Sequence, residues 1–355
     1  MGEITKSVNS TPQGGGWRPS LTVAILSPLI AEVLSGATKF SVLFALVPEI
    51  LVWGCGALLI REVVRRWRGG WTSMLLLGLG LSIAEEFLIQ QTSLAPLPFP
   101  GALAHYGRAW GVNWIYFLFM LGYESVWGVL VPVQVAEIFF GSRRHAPWLR
   151  NRGLLIAAIL FLLGSRIAWY AWIKRVRPVI FHLPPYHPGA LIIGSGVFAI
   201  ALLAILAYFV RRVGTGKPNP AHGAPPPWVV VVLAFVLGCP FYALMGFVFA
   251  PQEPHVAFGV VMAGGIAWAV LVYLLVGYLT RSAYWSDMHR WALTFGSTLL
   301  CMIAGFSGSS GWKPIDFYGK VALNLLAVVA FFLLMSRVRR HQLAGKPAAE
   351  DPYGG

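Results

Sequence analysis

The stretch LSIAEEFLIQQTS, residues 81–93, places Glu85 and Glu86 side by side inside an apolar segment running from Trp71 to Gln91. A helix needs about 20 residues to cross the hydrocarbon core of a bilayer, and this segment is long enough. A carboxylate at that depth is costly, and intramembrane acids mark functional sites. On a helix Ser82, Glu86 and Gln90 fall at i, i+4 and i+8, a polar stripe that must face protein or water rather than lipid.

The rest of the chain repeats this pattern. Its 355 residues are 57 % hydrophobic and only 11 % charged, where a soluble domain carries about a quarter charged residues; the mean hydropathy is +0.69. This is the composition of an all-α, polytopic integral membrane protein, because helices satisfy their own backbone in lipid. Ten apolar runs stand out, at 20–37, 41–60, 71–92, 113–140, 153–172, 189–210, 228–250, 257–280, 291–308 and 317–336.

The net charge of +14 would suggest nucleic acid in a soluble protein. Here the basic residues sit in short clusters between apolar runs and act as topology signals, so the expected partner is the lipid bilayer and not nucleic acid. Most of the 27 lysines and arginines fall where ten spans with both termini in the cytoplasm would put them inside, with KRVR at 174–177 dissenting. No cleaved signal or lipidation motif is evident, and the short loops suggest a bacterial cytoplasmic membrane. Cys55, Cys239 and Cys301 have no CxxC spacing and are expected to be small buried hydrophobes.

Five regions follow: a polar tail at 1–19, a six-helix bundle at 20–212, a Pro/Gly-rich cytoplasmic linker at 213–227, a four-helix bundle at 228–336 and a basic tail at 337–355. The outer loops 92–112 and 173–188 combine proline, aromatics and His105, His182 and His187. They are expected to form rigid interfacial turns or a vestibule over an outward-facing pocket for a small molecule, lipid or peptide. His182 and His187 stand five apart, a spacing compatible with a divalent metal but weak as a motif. GFSGSSG at 305–311 opens no helix and is not a phosphate cradle.

The acids concentrate in the first four runs. Glu62 and Glu137 lie near cytoplasmic ends, whereas Glu32, Glu49, Glu85 and Glu124 lie roughly 8–16 Å below the outer ends at ~1.5 Å per residue. At that depth the cations are Arg166 and Lys320, and Asp316, Lys320 and Asn324 recur at i, i+4 and i+8, a spacing that suits an Asp–Lys pair. Too few bases are present to neutralise the acids, so protons, a metal or a cationic ligand must be shared among them. Tyr123 and Gln90 complete the expected polar cavity.

The EE pair resembles the first motif of the CPBP family of intramembrane proteases, which includes CAAX proteases and bacteriocin-processing proteins. That motif, EExxxR, is followed in the family by FxxxH and HxxxN. Here Leu88, Ile89, Gln90 and Gln91 follow the pair where an arginine is wanted, Phe119 is followed by Tyr123 with Glu124 next to it, and KVALN carries Lys320 and Asn324 in the third frame. The resemblance implies a hydrolase in which Glu85 or Glu86 activates water, Glu124 belongs to the same site and Asn324 supports the oxyanion. The runs PLIAEVLSG, GALLIREVVRRW and YGRAWGVNW resemble bacterial polytopic proteins without assigned activity, which implies none here. Apart from the resemblance, the acids fit a proton- or cation-coupled transporter or channel equally well, and a non-catalytic scaffold or lipid-binding subunit remains the third class.

Overall fold

The computed structural model describes residues 16–96, 106–213, 219–220, 223–250 and 252–344. Ten long helices follow one another among these residues: α1 Trp17–Leu34, α2 Phe40–Arg66, α3 Trp71–Ile89, α4 Trp114–Phe139, α5 Asn151–Ile180, α6 Ala190–Phe209, α7 Pro227–Val248, α8 Phe258–Thr280, α9 Asp287–Ala304 and α10 Pro314–Ala344. Nine are long and apolar enough to cross a membrane. The exception is α9, the ninth of the ten expected spans. Its first turn is polar, with Asp287, His289 and Arg290, and Ser286 and His289 form a reciprocal cap. It is nonetheless a core element, burying Trp291, Phe295 and Cys301 between its neighbours.

The only β-strands among the described residues form a hairpin, β1 Arg108–Ala109 paired with β2 Val112–Asn113. Trp110 and Gly111 both have positive φ, the turn that suits the twist of a tight hairpin. Asn113 then caps α4 by accepting from the Tyr116 N–H at 3.0 Å.

The acid-bearing helices form the interior. Helices α1 to α4 bury 39–67 % of their most apolar windows, and α5 to α8 and α10 only 6–22 %. The main apolar cluster draws Ile30, Ile115, Phe119 and Trp127 from the first four helices and Leu244, Val261 and Leu300 from beyond residue 227. Of the cysteines, Cys55 and Cys301 are buried as expected, but Cys239 is exposed.

Prolines shape this interior. Pro132 lacks the N–H that would bond Gly128, and the carbonyl so released accepts from Ser27 Oγ of α1 at 2.6 Å. In α1, Pro28 likewise leaves Ala24 without its usual donor, and the bare Cα of Gly54 on α2 packs against that carbonyl. On α9, Gly296 packs against the Val231 carbonyl of α7 in the same way. Small residues at such crossings let membrane helices approach closely. Gly54→Ala and Gly296→Ala are each expected to cost about 1–3 kcal/mol through overpacking. Thermal denaturation in detergent measures this, and two variants melting with the wild type would refute the close approach.

At one end of the bundle Arg61, Glu62, Arg65 and Glu137 form a buried network. Arg61 bonds Glu62 at 2.7 Å and Glu137 at 3.1 Å, and donates to the carbonyls of Arg144 and Ala146. Its guanidinium lies 3.2 Å from the Trp148 ring centroid. Arg65 grips both oxygens of Glu137, at 2.8 and 2.5 Å. Glu62 accepts the backbone N–H groups of Trp148 and Leu149. Both carboxylates expected near cytoplasmic ends are thus fully paired, tying α2, α4 and the approach to α5 together.

Candidate functional site: a buried carboxylate cluster

The other deep acids lie toward the opposite end, and each sits on or beside a π-helical turn. These turns are Leu29–Leu34 with Glu32, Ile50–Gly54 just after Glu49, Ala84–Ile89 with Glu85 and Glu86, and Glu124–Leu130 with Glu124. A π turn carries one surplus residue and recurs at functional sites. Pro28 and Pro48 stand just before the first two turns and Pro132 just after the fourth, so local loss of an N–H donor accounts for three of them. The turn at 84–89 has no such proline.

The end of α3 shows how the sequence shapes the site. The Glu85 carbonyl accepts from both Gln90 and Gln91, and Gln91 adopts a left-handed conformation with φ of 60°. That reversal folds Thr92 and Ser93 back over the helix, where their hydroxyls donate to Glu86 Oε2 at 2.7 and 2.6 Å. One oxygen of Glu86 is held and the other, Oε1, has no partner among the described residues.

Around Glu86 the acids converge. Glu85 interacts electrostatically with Glu86 and Glu32, Glu124 with Glu86, Glu85 and Glu32, and Glu32 with Glu49. Glu85, Glu86 and Glu124 are buried, while Glu32 and Glu49 are half-buried. Thr38 Oγ1 donates to Glu49 Oε1 at 2.5 Å. Both oxygens of Glu85, both of Glu124, Oε1 of Glu86 and Oε2 of Glu49 lack hydrogen-bond partners among the described residues. No lysine or arginine forms an ion pair with any of the five within that set. Ser82 is buried with its hydroxyl beside the Glu124 carboxyl, close enough to interact with it.

Several expected members of the cavity lie elsewhere. Arg166 is on an exposed face of α5, stacked over Trp169 at 4.3 Å, and does not join the acids. The expected Asp316–Lys320 pair does not form, because each finds a backbone partner: Asp316 accepts from the Ser41 N–H at 2.8 Å and Lys320 donates to the Leu34 carbonyl at 2.5 Å. Asn324 donates to the Met302 carbonyl at 3.5 Å, and no hydrogen bond among the described residues joins it to a glutamate. Tyr123 is buried and its hydroxyl donates to the Ala31 carbonyl, one residue from Glu32. Gln90 is half-buried at the helix end. His182 and His187 are exposed, and His105 lies outside the described residues. No group of three or more His, Cys, Asp or Glu side chains suited to a metal ion occurs among the described residues.

The sequence reading missed Thr92, Ser93 and Tyr116. Tyr116 lies beside Thr92, within electrostatic reach of Glu86, Glu124 and Glu32. The two hydroxyls directly following the apolar run were the available signal, since a polar pair there can fold back on a buried acid. Compared with protein-family models, curated proteins and solved structures, the chain matches none.

Proposed function

We propose that this protein is a multi-pass membrane protein whose five convergent glutamates hold and exchange protons or a cation, as in a proton- or cation-coupled carrier. The observation behind this reading is the set of six buried carboxylate oxygens on Glu49, Glu85, Glu86 and Glu124 that have no hydrogen-bond partner among the described residues. Several negative charges at close range, away from water and without bases, are prohibitively costly. The cluster therefore holds protons or a cation in common, and its members titrate as a group. Ionisable groups so placed in membrane helices serve ion pathways and relays. The basic clusters support an orientation with both termini in the cytoplasm of a bacterial cell and the acid end facing out.

Reconstitution tests this directly. Proteoliposomes containing a pH-sensitive dye are expected to relax an imposed pH gradient faster than empty vesicles, with sodium or potassium as the alternative driving ion, and Glu85→Gln is expected to remove the difference. Protein-loaded vesicles that behave as empty ones toward all three ions would overturn the reading.

A second reading has one observation in its favour. Glu86 is fixed through one oxygen by Thr92 and Ser93 and leaves the other unpartnered beside Glu85 and Glu124, a suitable presentation for a general base acting on water. This is the chemistry implied by the CPBP resemblance, with the carboxylates alone to carry it. Cleavage of membrane-anchored peptides by the wild type, lost in Glu86→Gln, would favour hydrolysis over transport.

A further inference from the structure

We propose that the groove between the start of α1, the end of α4 and the last turns of α10 binds the phosphate-bearing headgroup of an anionic phospholipid. The groove encloses about 910 Å³. Four arginines, Arg18, Arg143, Arg144 and Arg337, line it against one acid, Asp287. That acid is already engaged by Arg144 in an ion pair. Arg18, Arg143 and Arg337 have no carboxylate partner among the described residues, so their charge is available to a ligand.

The apolar part of the groove distinguishes a lipid from a soluble anion. Trp17, 68 % exposed, and Phe139, 41 % exposed, also line it. Arg337 stacks over the Phe139 ring at 4.1 Å, which holds its guanidinium at the boundary between the apolar wall and the basic rim. A phosphodiester set between the arginines would direct its acyl chains along the exposed aromatic wall, and tryptophan favours that interfacial level. Helix α10 spans 31 residues, well beyond the roughly 20 that cross a bilayer, so its last turns extend His341 into the groove above the apolar zone. The arginine fork suits phosphate oxygens in pairs. The inference rests on the helices spanning a bilayer and not on what the acid cluster does.

Native mass spectrometry of the full chain in detergent, with phosphatidylglycerol and phosphatidylcholine added in equal amounts, tests it. The wild type is expected to retain phosphatidylglycerol preferentially. Each groove arginine removed should weaken that retention about fivefold, so Arg143→Gln and the double variant Arg143→Gln/Arg337→Gln form a graded series. Arg143→Gln alone keeps the test decisive if the double variant does not fold. Arg339→Gln/Arg340→Gln removes the same charge from exposed positions outside the groove and is expected to leave retention unchanged. Three outcomes would overturn the proposal: no preference for the anionic lipid, equal loss in the control variant, or displacement of the lipid by equimolar inorganic phosphate, which would mark a soluble anion as the ligand.

Discussion

Arg61→Met is expected to lower stability by about 3–5 kcal/mol, the cost of removing one partner from a buried ionic network. Arg61 and Glu62 are fully buried and Glu137 nearly so. Methionine matches the length of the arginine stem, so the loss reports the guanidinium. Without it, the carbonyls of Arg144 and Ala146 lose a donor and Glu62 keeps a charge with no cation beside it. Neutralising Glu62 as well does not restore the balance, because its carboxylate also accepts the Trp148 and Leu149 N–H groups. Arg61→Lys should be damaging too, since an ammonium cannot reproduce the planar fork or its stacking on Trp148. Unfolding followed by loss of helical signal in a graded denaturing detergent measures the effect. An Arg61→Met variant that unfolds with the wild type would show that the network contributes nothing.

The opposite sign is expected at the other end of the bundle. Glu124→Met and Glu85→Met should each raise stability by about 1–3 kcal/mol, since a buried polar group without a partner carries its full desolvation cost and an apolar side chain of similar length does not. The same variants should abolish ion exchange. A protein that gains stability as it loses activity shows that its acids are kept for function. If either variant is destabilised instead, its carboxyl has structural partners and the cluster is helix packing rather than a site.

Much of the fold is legible in the sequence, because a helix in lipid must be apolar along its length and loops must not be. Each of the ten apolar runs corresponds to a helix, most within a few residues at the ends. However, α2 continues to Arg66, α5 to Ile180 and α10 to Ala344, so residues 173–180 of an expected outer loop, KRVR included, and 337–344 of the expected basic tail are helical. The deviation at α9 has a cause in the chain: Asp287, His289 and Arg290 make its first turn polar, while the helix is sheltered by α7 and α10. The acids were legible for the same reason, since charges interrupt apolar runs. Which of them meet was not. Depth along a helix follows from counting, but azimuth does not, and Arg166 shares the depth of the acids while facing outward. Spacing at i, i+4 pairs Asp316 with Lys320 only if neither has a better partner, and the backbone of Ser41 and Leu34 supplied one to each. The stripe of Ser82, Glu86 and Gln90 assumed regular α geometry, and the π turn at 84–89 puts it out of phase before Gln90.

Those π turns have a mechanical consequence. An α-helix with one residue too many resembles a crystal row with a dislocation, and a dislocation moves by exchanging one bond at a time. Shifting the surplus residue along α3, whose turn no proline pins, would re-aim Glu85 or Glu86 while both ends of the rod stay docked. In α1, α2 and α4 a proline holds the surplus residue in place, so α3 alone is built to turn its carboxylates from one neighbour to the next without rigid-body movement of the bundle.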